Sequence, residues 1–203
     1  EVFATAARRP EVPDGLPVLV VTDALLARLS DAVTPSGPVA VVRTPDPNGS
    51  VPDTGTVVVL DGVADPGNVG TLVRTAAALG AAAVVVTGPA ADPYGPKAVR
   101  SSAGACYRIP IRRREDLAGA AAELRAAGRE VVGLAAGRGR PIATLAGREG
   151  VALVLGSEAH GVLDPGVPEA WVHVPMPGGI ESLNVAAAGA IALHSLLGAT
   201  APE

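Results

Sequence analysis

From Thr56 onward the chain alternates between short unbroken apolar runs and longer segments with helical periodicity. The runs are Thr56–Leu60, Ala82–Thr87, Cys106–Ile111, Glu130–Leu134, Val151–Leu155 and Trp171–Val174. Helical patterning covers Val69–Leu79, Arg114–Ala127 and Leu183–Leu197. A strand covered on both faces reads as a continuous apolar run, and helices between such strands imply parallel pairing. The pattern therefore predicts an α/β fold: a mostly parallel sheet with helices on both faces. Residues 1–50 read differently. A strand over Pro17–Thr22 leads into a short helix, Asp23–Leu29, with Asp23 at its N-cap, and a second strand spans Pro38–Val42. Arg43–Gly55 is dense in turn residues and reads as a linker. Two strands and a helix are thin for a domain. The expectation is a partial small α/β N-terminal domain and linker over 1–50, its front half lying outside the sequence, followed by the main domain over 51–203.

Composition narrows the class. Of 203 residues 48% are apolar and 18% charged, and mean hydropathy is +0.37, which excludes intrinsic disorder. Only Phe3, Tyr94, Tyr107 and Trp171 are aromatic, so little is available to stack bases. The single cysteine, Cys106, excludes an internal disulfide, and His160, His173 and His194 lack metal-cluster spacing, so no metal site is expected. Glu1–Pro10 lacks the apolar core of a secretory leader. Ala76–Val86 falls short of the roughly 20 residues of a membrane span. A cytoplasmic protein with no membrane partner is expected. The net charge of −4 argues mildly against nucleic acid, but placement outweighs the sum.

In such sheets ligands sit at the carboxyl ends of strands, and three loops there carry chemistry. The first holds Asn68 near a helix start and Arg74 six residues on. Taken alone it is also a tight turn with Asn68 as cap and Arg74 as a solvated charge, and it is neither a G-x-G-x-x-G fingerprint nor a phosphate loop. The second runs from a buried strand into Gly156, Ser157, Glu158, His160 and Gly161. Ser157 and His160 are too close in sequence for a nucleophile–base pair, and no G-x-S-x-G elbow is present. The third is a Pro/Gly-rich loop carrying Glu181, Ser182 and Asn184, with Ser182 the expected N-cap of an Ala-rich helix.

Together these segments resemble the SpoU–TrmH branch of the SPOUT methyltransferases. Its motifs run approximately N-x-G-x-x-x-R-T-A, L-G-x-E-x-x-G and I-P-M-x-x-x-x-x-S-L-N-V. The chain supplies Asn68, Gly70, Arg74, Thr75 and Ala76, then Leu155, Gly156, Glu158 and Gly161, then Pro175, Met176, Ser182, Leu183, Asn184 and Val185. Asp92–Gly104 also resembles the segment that follows the family's second strand. Val174 stands where isoleucine is commoner. The resemblance covers about 56–198.

The resemblance implies a C-terminal deep trefoil knot, which topology rules alone would never give. It further implies a homodimer and S-adenosyl-L-methionine as cofactor, held around Leu134, Ala135, Gly156, Val174, Met176, Ser182 and Leu183. The implied reaction is methyl transfer to a ribose 2′-hydroxyl of RNA, tRNA or rRNA. Arg74, Asn68, Glu158, Ser182 and Asn184 are its catalytic set, with Arg74 favoured as phosphate anchor and alkoxide stabiliser over general base. Arg74, Lys97, Arg100, Arg108, Arg112, Arg113 and Arg114 form a candidate RNA track, to which Arg8 and Arg9 add. Placing Arg112–Arg114 at a helix start, where positive charge is unfavourable, favours a binding role for them. Two competing classes stay open. One is a non-catalytic RNA-binding protein on the same scaffold, the other a methyltransferase for small molecules or proteins.

Overall fold

The computed structural model describes residues 1–30 and 37–198. The chain divides into two units, Glu1–Thr44 and Pro45–Glu203. In the smaller unit β1 (Val2–Ala4) pairs parallel with β2 (Val18–Val20) and antiparallel with β3 (Val39–Ala40), giving the order β2-β1-β3. Between β2 and β3 lies α1 (Asp23–Leu29), capped by Thr22 rather than Asp23: the Thr22 hydroxyl accepts from Leu25 N at 3.3 Å. β1 is three residues long and left no periodic signal in the sequence.

The larger unit runs β4 (Val57–Asp61), α2 (Pro66–Ala78), β5 (Ala83–Thr87), α3 (Pro96–Ser102), β6 (Ile111–Arg114), α4 (Leu117–Ala126), β7 (Glu130–Leu134), β8 (Arg140–Pro141), β9 (Val151–Gly156), β10 (Ala170–His173) and α5 (Val185–Leu197). Its seven strands lie in the order β6-β5-β4-β9-β7-β10-β8, and every pairing is parallel. The valine runs explain this. Along β4, Val58 and Leu60 pack with α2 and α5, while Val57 and Val59 pack with Leu117 and Leu124 of α4 on the other face. Both faces are covered, so every position of β4 is buried. β4, β5 and β6 grow the sheet one way, and β9, β7 and β10 extend it the other. The reversal between β4 and β9 opens a crevice at the strands' carboxyl ends, the usual ligand position in open α/β sheets.

Four expectations are corrected. Cys106–Ile111 is not a strand: Ala105–Tyr107 is a 3₁₀ turn and β6 begins at Ile111. Pro110 has no N–H for the ladder, although its carbonyl still accepts from Val84 N at 2.9 Å. The next helix starts at Leu117 instead of Arg114, because Asp116 caps it by accepting from Gly119 N at 2.8 Å. Arg112–Arg114 are therefore strand residues, and no unfavourable helix start singles them out for binding. α5 is capped by Asn184, not Ser182, through Ala186 N at 2.9 Å and Ala187 N at 3.3 Å. α3 gave no helical signal, being a seven-residue helix opened by Pro96.

The small residues permit close approach. A methyl group on Gly70 would collide with the Ala98 carbonyl of α3, and one on Gly189 would collide with Leu72 of α2. Glycine at these points sets how near α3 and α5 lie to α2.

Candidate active site

Four chain segments converge at the carboxyl ends of β7, β9 and β10 to enclose a cavity of about 430 Å³. The end of β7 and the segment after it contribute Leu134, Ala135 and Ala136. The end of β9 and its loop give Leu155, Gly156, Ser157, Glu158 and Gly161, and the segment after β10 gives Val174 and Met176. Ser182, Leu183, Asn184, Val185 and Ala188 close it. All seven residues expected to hold the cofactor line this one cavity. The sequence reading missed the helix residues Val185 and Ala188, whose three-residue spacing places both on one face of α5.

The β9 loop owes its shape to glycine. Gly161 has φ +68°, and any Cβ on Gly156 would meet the Gly161 and Val162 backbone. Ser157 and Gly161 exchange backbone hydrogen bonds at 2.9 and 2.8 Å. The Ser157 hydroxyl accepts from His160 N at 3.1 Å, so it serves the turn. That tight turn presents Glu158 at the cavity rim.

Glu158 is the end of a polar relay. On α2, Asp65 takes the N-cap by accepting from Gly67 N, which leaves the Asn68 side chain free. Asn68 Nδ2 donates to Glu158 Oε1, and Asn68 Oδ1 accepts from Asn184 Nδ2 at 3.2 Å. Because the Asn184 carbonyl oxygen faces the N–H groups of α5, its amide must point at Asn68. Thus the α5 N-terminus orients Asn184, Asn184 orients Asn68, and Asn68 holds the carboxylate.

Arg74 is not brought to this cavity. Six residues from Asn68 amount to about 9 Å along α2 and 240° around it. Arg74 is exposed and lines a second cavity of about 400 Å³ together with Arg108. Ser182 lines the first cavity without a side-chain hydrogen bond among the described residues.

The candidate RNA residues divide sharply. Lys97 is paired with Asp65 at 2.6 Å, and this hydrogen bond is the main reason the Asp65 carboxyl is held below its usual range. Arg112 donates to the carbonyls of Ser50 (2.8 Å) and Asp46 (3.2 Å), and Arg113 to that of Ala90. Arg114 pairs with Glu123 at 2.6 Å and donates to Gly49 O at 3.0 Å. These bonds tie residues 46–50 to the larger unit, which begins at Pro45. Arg100 and Arg108 are exposed, and neither forms an ion pair among the described residues. Nor is there among those residues a group of three or more metal-ligating side chains, or a helix long and apolar enough to cross a membrane.

Comparison with known proteins agrees with this architecture. Residues 55–194 match the SpoU rRNA Methylase family, and the chain belongs to it. It is 35% identical over 191 residues to the 23S rRNA (guanosine(2553)-2′-O)-methyltransferase RlmP of Bacillus subtilis, covering 93% of this chain and 75% of that one. With the 23S rRNA (guanosine-2′-O-)-methyltransferase RlmB of Xanthomonas axonopodis pv. citri it shares 39% identity over 139 residues, covering 68% of this chain and 56% of that relative. Among solved structures, the SpoU methyltransferase AviRb from Streptomyces viridochromogenes superposes with a TM-score of 0.83 at 26% identity, covering 97% of this chain and 80% of that one. AviRb has also been solved in complex with AdoMet, and that structure gives a TM-score of 0.82.

Proposed function

We propose that this protein transfers a methyl group from S-adenosyl-L-methionine to a ribose 2′-hydroxyl of RNA, with ribosomal RNA the favoured substrate. The observation that carries this reading is the convergence of the seven cofactor residues on one cavity whose rim holds the Glu158–Asn68–Asn184 relay. The cavity fits the group. Its volume lies in the range of small-molecule sites, and Leu134, Leu155, Val174 and Leu183 offer an apolar slot for a purine. Gly156 and Gly161 keep side chains away from the rim.

The bound cofactor supplies a methyl group already activated by a sulfonium charge. What remains for the chain is to align the hydroxyl and to stabilise its oxygen as the proton leaves. A guanidinium is a permanent cation in proteins, so Arg74 acts through its charge: it anchors a phosphate and stabilises the developing alkoxide. Glu158, oriented through Asn68, is the acceptor group at the rim. Ser182 contributes a hydroxyl to the same wall.

Arg74 does not line its own chain's cavity, so its part in the reaction calls for a homodimer in which the partner subunit's Arg74 completes each site. The knotted topology belongs to the same proposal: β9 lies between β4 and β7, and the chain after β10 returns to line the cavity that the segment after β7 opens. The smaller unit serves as part of an RNA-binding domain. A cytoplasmic location accords with an RNA substrate.

Calorimetric titration with S-adenosylhomocysteine tests the cofactor site. Saturable binding is expected, and Leu183→Arg, which places a charge in the cavity wall, is expected to abolish it. Absence of binding by the folded wild-type protein would contradict the reading.

A further inference from the structure

Most cations of the larger unit are already engaged. Lys97, Arg114, Arg125 and Arg148 sit in ion pairs. Arg112, Arg113 and Arg129 donate to carbonyls, the latter to Pro52, Thr54 and Gly55. Arg138 lies 3.7 Å over the Trp171 ring. Among the described residues of this unit, Arg74, Arg100, Arg108 and Arg140 have no side-chain hydrogen bond or ion pair.

Two of these four share a cavity. Arg74 of α2 and Arg108, at the end of the Ala105–Tyr107 turn, both line a space of about 400 Å³. Its other lining residues are uncharged: Ala77 and Ala78 of α2, Ser102 and Ala103 at the end of α3, and Ile109 and Pro110 among them. The Ser102 hydroxyl is already bonded to Val99 O at 2.9 Å. Two arginines thus line one concavity with no carboxylate in its wall, an arrangement of like charge that favours entry of an anion. The backbone there is also held out of its ordinary range. Ala103 has φ +49°, the one described non-glycine residue with positive φ. This left-handed residue turns the chain sharply out of α3 into the segment that carries Arg108.

We propose that Arg74 and Arg108 form a two-guanidinium clamp on a backbone phosphodiester of the RNA, with Arg108 a substrate-positioning residue. The identity of the anion rests on the methyltransferase reading above; the clamp itself rests on the cavity. Paired guanidinium forks suit a phosphate because each offers parallel N–H donors. The alanine walls leave room for the sugar–phosphate chain and offer no competing acceptor. Lys97 and Arg112–Arg114, being engaged elsewhere, are not part of the clamp.

The test is the salt dependence of binding of a fluorescein-labelled single-stranded RNA oligonucleotide, followed by anisotropy between about 50 and 200 mM salt. Arg108→Ala is expected to reduce the slope of log K against log salt by about 0.7, one phosphate contact on a single strand. Arg108→Lys should restore the slope, since a cation remains. Arg140→Ala removes the same charge at the β8 edge and should leave the slope unchanged. S-adenosylhomocysteine affinity should be equal in wild type and Arg108→Ala, which also shows that the variant folds. A slope unaltered by Arg108→Ala, an equal loss in Arg140→Ala, or no RNA binding by the wild type at the lowest salt would each overturn the clamp. Failure of the methyltransferase reading shows separately, as wild-type protein that binds RNA but not S-adenosylhomocysteine.

Discussion

Asn184 joins two tasks in one side chain: its carbonyl oxygen caps α5, and its amide hydrogens fix Asn68. Asn184→Asp keeps the cap but sets one acceptor against another at Asn68 Oδ1. Urea titration should show stability unchanged to within about 0.5 kcal/mol, while methyl transfer falls at least tenfold. A matched loss of stability and activity would assign Asn184 to folding alone. Buried Asp61 illustrates the opposite balance. It accepts from the Thr87 hydroxyl and from Leu163 N, both at 2.7 Å, tying β4 to β5 and to the chain after β9. Asp61→Ala strands two donors and should cost about 3 kcal/mol in urea unfolding. At this scale the sequence set Asn68, Glu158 and Asn184 in loops after strands, and only the family resemblance marked them as one set. It could not give the direction of the relay, because that depends on contacts 90 and 116 residues apart.

Among elements, the contact of β6 with α4 carries a pH dependence. The Arg114 guanidinium hydrogen-bonded to Glu123 is the main reason that carboxyl is held below its ordinary range. A carboxylate depressed in the folded state stabilises in full above its unfolded pKa, about 4.3, and loses that contribution as pH falls through the lower folded value. Arg114→Ala should therefore lower thermal stability at pH 7, and the gap from wild type should narrow below about pH 4. The same variant should leave the RNA salt slope unaltered, unlike Arg108→Ala. Element boundaries were legible where a cap or a valine run marked them, as in β7, which spans Glu130–Leu134 as the pattern predicts. They were obscured around Arg112–Arg114, where charged side chains masked a strand whose arginines fold back onto the linker. α3 was hidden by its length, and its role lies in tertiary contact: Gly70 lets it approach α2 closely. Gly70→Ala should separate the two helices and cost about 2–3 kcal/mol, in the range of overpacked core substitutions.

For the molecule as a whole, a sheet that grows both ways from the β4–β9 pair makes the crevice, and the loops at its carboxyl ends furnish both the cavity and the relay. The sheet was readable from hydrophobic runs because burial on both faces leaves no other pattern. The knotted path proposed above was not, since local periodicity carries no information about threading. The position of Arg74 also belongs to this scale: helix geometry turns it away from its own chain's cavity, and the proposed homodimer is what would return it to one. The account predicts a dimer by analytical ultracentrifugation. Its central claim is the chemistry of transfer, tested most directly by incubating ribosomal RNA with methyl-labelled S-adenosylmethionine and digesting the product to nucleosides. Label is predicted in a 2′-O-methylnucleoside, falling about 10²–10³-fold with Arg74→Ala. Label on a base, or none transferred by protein that binds both cofactor and RNA, would contradict it.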